Sequence, residues 1–311
     1  MNNPVVSVII PLYNKERFVP RAIDSVLGQS FQKFEIIVVD DCSTDKGPEK
    51  IRKFADPRIR LLRTKRNSGP GLARDLGIKA SVGELVAFLD ADDEWKPQFL
   101  ERCVRFIRVH PEAGLVATGY EIYRKGSHEK VVLDVPEGIV NPFVLWLRAS
   151  FAWTSGITMK KESYITVGGF EYGLRQGEDV NLWFKVAMKY PIGYIPEALA
   201  IYHLDAGERI TSRWFLGRPA PWIFSEEFMP VSEEFKKSPF YDSFLRIKKQ
   251  DADRYLRKWL AFWRFHHAWK FARKHGLSYC RPLIQEIPYL PRNAIIIAIS
   301  LLKLMIRRLI G

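Results

Sequence analysis

Two apolar periods alternate along the first half of the chain. Val5–Ile10 is an apolar, β-branched run broken only by Ser7, the pattern of a buried strand. Arg17–Leu27 follows with Phe18, Ala22 and Val26 in line and Val19 and Ile23 beside them, the period of a helix with one apolar face. The pair then repeats. Ile36–Val39 predicts a second strand that ends in Asp40-Asp41, and a helix is expected near Asp45–Phe54 with Ser43 as its N-cap. Ile59–Leu62 predicts a strand, Leu72–Ala80 a helix, Leu85–Leu89 a fourth strand. Pro97 opens a helix lined by Phe99, Val104 and Ile107, and Leu115–Thr118 predicts a fifth strand. Strand–helix alternation with short connections implies an α/β fold on a mostly parallel sheet with right-handed crossovers.

After Gly126 the periodicity loosens. Ala152–Met159 and Ala198–His203 read as extended and Val180–Met188 as helical. Gly207–Pro239, rich in Gly, Pro and aromatics, reads as loop and linker. Asp251–His275 is an amphipathic helical pattern with Tyr255, Trp259, Trp263 and His266 on one face and Arg254, Arg257, Lys258 and Arg264 on others. Ala294–Ile310 is apolar through Leu302 and then carries Lys303, Arg307 and Arg308. This divides the chain into an α/β domain over residues 1–215, a linker over 216–245 and a helical C-terminal region over 246–311.

Charge sharpens that division. The net charge is +13, and Arg246–Gly311 carries fifteen Lys/Arg against three acids, or +12, which leaves +1 for everything before it. The basicity therefore concerns the partner of the C-terminal region. Nucleic acid and an anionic membrane surface are the two candidates. No RNA-recognition, oligonucleotide-binding or zinc signature accompanies the basic helix, so nucleic acid is not expected. Ala294–Ile306 is thirteen residues, roughly 20 Å as a helix, against a hydrocarbon core of about 30 Å. A helix lying in the membrane interface is expected, the alternative being one packed on the α/β domain. Cys42, Cys103 and Cys280 show no pairing or metal spacing, which fits a reduced cytosolic chain. Met1-Asn2-Asn3-Pro4 lacks a basic leader, so no signal peptide is expected.

The chemistry gathers at predicted strand ends. Leu85–Leu89 runs into Asp90, Asp92 and Asp93, and the carboxyl ends of strands are where open α/β sheets bind ligands. Three acids within four residues repel one another unless a cation sits among them, and oxygen-only ligands suit Mg²⁺ or Mn²⁺. A solvated acidic turn is the plainer alternative. Pro11 and Tyr13 follow the first strand, where Tyr13 offers a ring for stacking or is simply buried. Asp41 ends the second strand, as an acceptor for an N–H or as a helix-capping acid. Arg66–Gly71 (RNSGPG), with Asn67 in it, is a turn-forming loop before a helix, a setting that favours phosphate. Arg74 on that helix reaches an anion or forms a surface ion pair. Gly177-Glu178-Asp179 opens a later helix, where Asp179 is either a general base or an acid favoured by the helix dipole. Trp183 follows one turn on, as an acceptor-pocket wall or a core residue.

Three segments, VSVIIPLYNKERFVPRAIDSVLGQSFQKFEIIVVDDCSTD, RNSGPGLARDLGIKASVGELVAFLDADD and ITVGGFEYGLRQGEDVNLWFKVA, resemble the family 2 glycosyltransferases over roughly residues 5–205. The resemblance implies the GT-A fold and transfer of a sugar from a nucleotide diphosphate donor, usually with a divalent metal and inversion at the anomeric carbon. It implies that Asp41 meets uracil, that Asp93 is the metal ligand with Asp92 on ribose or metal, and that Asp179 is the catalytic base. His203 resembles the family's late histidine, a contact to metal or diphosphate, although Arg209 stands later than is usual and Arg209 and Ser212 fall on a loop expected to close over the donor. Glu171 stands where Asp is commoner. A UDP-sugar is favoured by family habit, with a glycan or lipid-linked glycan as acceptor at the cytoplasmic membrane face. A polyprenyl-phosphate glycosyl transferase and a non-catalytic binding module are the alternatives.

Overall fold

The structure, a computed structural model, describes residues 3–204 apart from 125, 141, 143–144, 146–150 and 172–176. The expectations for Gly207–Pro239, Asp251–His275 and Ala294–Ile310, and those for Arg209 and Ser212, lie outside the described residues.

One mixed sheet organises the described chain. Strands β1 (Val6–Leu12), β2 (Phe34–Asp40), β3 (Ile59–Arg63) and β4 (Leu85–Phe88) pair in parallel in the order β3-β2-β1-β4. The sheet continues through β9 (Ile157–Lys160), β6 (Leu115–Arg124), β10 (Ile192–His203) and the two-residue β5 (Glu94–Trp95). The sheet is mostly parallel, as expected, with antiparallel strands set into it. β9 runs antiparallel to both β4 and β6, whereas β10 is parallel to β6. The C-terminal ends of β1, β2, β4 and β10 consequently share one edge. Two short strands, β7 (Ser127–Val131) and β8 (Gly138–Val140), pair antiparallel with β6 and β10. Gly126, at φ 84°, makes the β6–β7 turn that a side chain would strain.

Helices cover both faces. Helix α1 (Val19–Leu27) buries Val19, Ala22, Ile23 and Val26, and α4 (Phe99–Val109) buries Phe99, Leu100, Cys103, Val104, Phe106 and Ile107. Both pack on the face that carries Val6, Val8, Ile10 and Leu12. Each such side chain removed from water is worth about 1.5–3 kcal/mol, so these stripes fix which way each helix faces. Burial also pushes the Cys103 thiol up to about 12, so it behaves as an apolar core group. On the other face, α3 (Pro70–Ala80) lies close to the sheet because Gly77 has no side chain. A Cβ there would sit 2.7 Å from Ile9 Cγ2 and 3.2 Å from Val39 Cγ2. Helix α5 (Lys161–Thr166) follows β9, and α6 (Glu178–Lys189) sets Trp183 against Phe88 of β4 at 5.2 Å between rings.

Local details correct the sequence expectations. The second helix, α2, is the short Gly47–Arg52, and Ser43 does not cap it. Ser43 Oγ instead accepts the N–H of Asn14, while Asp45 Oδ1 accepts the N–H of Gly47. β6 and β10 extend well past their apolar cores. The extended stretch Ala152–Met159 contains a single 3-10 turn, Thr154–Gly156, before β9 begins.

Candidate active site

The shared strand edge carries most of the candidate residues. Asn14 (φ 52°) and Cys42 (φ 63°), just past β1 and β2, are left-handed without being glycine, a strained state that persists where surrounding bonds enforce it. Asn14 Oδ1 accepts the N–H and hydroxyl of Thr44, tying the two loops together. A recess of about 370 Å³ lined by Asn14, Lys15, Phe18, Thr44 and Asp45 opens beside them. Pro11 lies in β1, and Tyr13 is 45% exposed, so its ring is available to stack on a flat ligand.

Asp41 is buried and already well supplied with donors. Its carboxylate accepts Thr64 Oγ1 at 2.8 Å, Ser68 N at 3.0 Å and Gly69 N at 2.7 Å. It thereby holds the loop that contains the exposed Asn67, a role the sequence did not suggest for it. Gly69 (φ 86°) then opens α3. Gly71 is where α3 meets α6, since a Cβ on it would lie 2.9 Å from Glu178 Cγ.

The acidic run after β4 divides into three environments. Asp90 Oδ1 pairs with Arg74 Nη2 at 2.6 Å. Asp92 Oδ2 pairs with Lys15 Nζ at 2.9 Å, and its backbone carbonyl accepts from Arg21 Nη2 at 2.6 Å. Asp93 is fully buried; its Oδ2 accepts Ser155 Oγ at 2.6 Å and Trp153 Nε1 at 3.3 Å, and its Oδ1 accepts the backbone N–H of His203 at 3.4 Å. The His203 ring Nε2 lies 3.3 Å from Glu94 Oε2, and that contact holds Glu94 below the usual carboxylate range. His203 therefore reaches the cluster through its backbone, with its ring turned to Glu94.

Among the described residues no group of three or more His, Cys, Asp or Glu side chains is arranged to enclose a metal ion. The donor set still fits one kind of cation. Mg²⁺ and Mn²⁺ accept one or two carboxylates and complete their shell with phosphate oxygens and water. Asp92 is 8% exposed and Asp93 0%, so Asp92 is the more accessible of the two to a cation and its phosphate partners.

Helix α6, which carries Glu178 and Asp179, meets this cluster through Arg74. Arg74, 4% exposed, spans from Asp90 to Glu178 Oε1, 3.1 Å from its Nη1. Burial works against its charge, but Asp90, Glu178 and Asp179 together outweigh that and raise its pKa. Its Nε has no hydrogen-bond partner among the described residues. Burial, and then the neighbouring Asp179, push Glu178 above the usual carboxylate range despite Arg74. Asp179 Oδ2 accepts Thr154 Oγ1 at 2.6 Å and Oδ1 accepts the N–H of Val180 at 2.8 Å. Gly177, left-handed at φ 78°, turns the chain into α6. Trp183 is buried, with its ring 5.2 Å from that of Phe88.

Sequence reasoning missed Lys15, Arg21, Thr154 and Ser155, whose residue types carry no signal until the fold delivers them. Residues 7–168 match the Glycosyl transferase family 2 model. An uncharacterized glycosyltransferase of Rickettsia conorii is 34% identical over 211 residues, which is 67% of this chain and 34% of that protein. The chain thus matches about a third of that relative's length. The putative teichuronic acid biosynthesis glycosyltransferase TuaG of Bacillus subtilis is 29% identical over 72% of this chain and 88% of its own. The crystal structure of S. aureus TarS 1-349 in complex with UDP-GlcNAc superposes with a TM-score of 0.63 at 20% identity, over 93% of this chain and 83% of that one. With more than half of its length matched by the family model and the same sheet architecture underneath, the chain belongs to glycosyl transferase family 2 and is a glycosyltransferase of the GT-A fold.

Proposed function

We propose that this enzyme moves a sugar from a UDP-sugar to a glycan or lipid-linked glycan during polysaccharide assembly, with inversion at the anomeric carbon. The observation that carries the reading is the Arg74 bridge. One buried guanidinium ties the acidic end of β4, on the donor side, to the start of α6, which bears Asp179. The relatives support this class: TuaG is named for teichuronic acid biosynthesis, and TarS was solved with UDP-GlcNAc.

The roles follow from chemistry. Asp179 accepts the proton of the attacking sugar hydroxyl, a poor nucleophile until a carboxylate takes that proton. Attack opposite the leaving diphosphate inverts the anomeric centre. Arg74 keeps positive charge near the developing negative charge of that leaving group, in a site where burial strengthens the interaction. Tyr13 offers a stacking face to the base, and the loop held by Asp41 delivers the start of α3 towards the phosphates. Asp92, with Asp93 behind it, would hold a divalent cation, which as a Lewis acid would neutralise charge on the diphosphate.

Among the described residues no helix is long and apolar enough to cross a membrane. The basic, tryptophan-bearing region 246–311 supports a peripheral position on the cytoplasmic membrane face. The reaction is tested by incubating the enzyme with a panel of UDP-sugars and an acceptor glycan and reading product anomeric configuration by proton NMR. An α-linked donor should give a β-linked product. A retained configuration would overturn the single-displacement assignment.

A further inference from the structure

We propose that Thr154 and Ser155 are positioning residues that set the spacing between the catalytic base and the acidic cluster. The proposal rests on the reading of Asp179 as base. The two hydroxyls are consecutive in sequence, yet they serve carboxylates on different elements. Thr154 Oγ1 donates to Asp179 Oδ2 at the start of α6, and Ser155 Oγ donates to Asp93 Oδ2 after β4, both at 2.6 Å. Ser155 Oγ also accepts the N–H of Asp90 at 3.1 Å.

The 3-10 turn explains how neighbours can do this. With three residues per turn, successive side chains diverge by about 120°, so one hydroxyl faces each carboxylate. The turn itself is anchored. Trp95 Nε1 donates to the Ser155 carbonyl at 2.6 Å, Trp153 Nε1 reaches Asp93, and β9 leaves the turn directly into pairing with β4 and β6. A Cβ on Gly156 would meet Thr118 Oγ1 at 3.2 Å, so the turn sits close against β6. Thr154 and Ser155 are buried at 2% and 0% exposure, which shields both bonds from water.

The consequence is geometric. Among the described residues, the Asp179 carboxylate receives its one hydrogen bond from outside α6 from Thr154. Without it the base loses a fixed orientation towards the acceptor hydroxyl. A displacement of about 1 Å at a reacting group can cost on the order of 10²-fold in rate.

The test uses the full chain and measures UDP release from UDP-N-acetylglucosamine, with water as acceptor, together with UDP affinity by calorimetry. Thr154→Val should lower kcat by roughly 10- to 100-fold with donor KM and UDP affinity unchanged. Thr154→Ser, which restores the hydroxyl, should recover kcat to within about threefold. In Asp179→Asn the same Thr154→Val change should add no further loss. A Thr154→Val enzyme with wild-type kcat, a defect that Thr154→Ser does not rescue, or additive losses in the double variant would each overturn the proposal. A dead Asp179→Asn beside a fully active Thr154→Val would sink the positioning role alone. An active Asp179→Asn would sink the base reading and this proposal with it.

Discussion

Replacing Arg74 with methionine removes the side chain that pairs with both Asp90 after β4 and Glu178 at the start of α6, and keeps much of the apolar stem. The guanidinium is 4% exposed, whereas the Asp90 and Glu178 side chains are 27% and 16% exposed. Removing one partner of a buried ion pair costs about 3–5 kcal/mol. Asp90 retains access to water, which places the expected loss at the lower end, about 3 kcal/mol. At roughly 2–4 °C per kcal/mol for a domain of about this size, the melting midpoint should fall by roughly 6–12 °C. The loss should be largest near neutral pH. Glu178 already sits above the usual carboxylate range through burial and Asp179, and without Arg74 only a backbone hydrogen bond opposes that, so acidification lets it take a proton and relieves the strain. Arg74→Lys should cost less, about 1–2 kcal/mol, because a point charge cannot span both carboxylates as the planar fork does. Thermal and urea denaturation followed by tryptophan fluorescence at neutral and mildly acidic pH measures all three effects. A methionine variant within 1 kcal/mol of wild type, or a deficit that grows on acidification, would refute the reasoning.

Glu178 also makes a prediction of its own: its stabilising contribution is fully present below the ordinary carboxylate value and is lost as pH rises through its raised one. Glu178→Gln should flatten that part of the stability–pH profile, as read from urea midpoints across the same range; an unchanged slope would reassign it. Asp92→Asn should weaken Mn²⁺-dependent UDP binding about as much as EDTA does, whereas Asp93→Asn should also lower the melting midpoint because it disturbs the Ser155 and Trp153 bonds; calorimetry in which neither EDTA nor Asp92→Asn matters would remove the metal from the account. The full chain should co-sediment with liposomes increasingly as their anionic lipid content rises, and salt should weaken this only in part, since apolar insertion is not screened; indifference to every lipid composition would remove the membrane role.

The parts of the fold legible in the sequence were those where one force dominates. β1, β2 and β4 are buried on both faces, so their apolar runs are nearly continuous. Helices α1 and α4 bury one clean stripe. β6 and β10 were underestimated because Gly119, Glu121, Pro196 and Glu197 interrupt their apolar pattern, while pairing carries the strands through. Ser43 resembles a cap in the sequence, which does not show that its hydroxyl accepts the N–H of Asn14. At the site, spacing located the acids but not their partners. That Arg74 joins Asp90 to Glu178, that Asp41 holds a loop, and that Trp183 faces Phe88 all depend on which chain segments meet. The two hydroxyls of the 3-10 turn were invisible for the same reason.

Asp179 is proposed as the proton acceptor in sugar transfer. The most direct measurement compares Asp179→Asn with the wild-type enzyme for UDP affinity by calorimetry and for transfer from a radiolabelled UDP-sugar. Asparagine keeps the shape and removes the basic oxygen, so UDP affinity should stay within about twofold while transfer falls by on the order of 10²–10⁴-fold. Transfer at a near wild-type rate with intact UDP binding would contradict the account and place the base elsewhere.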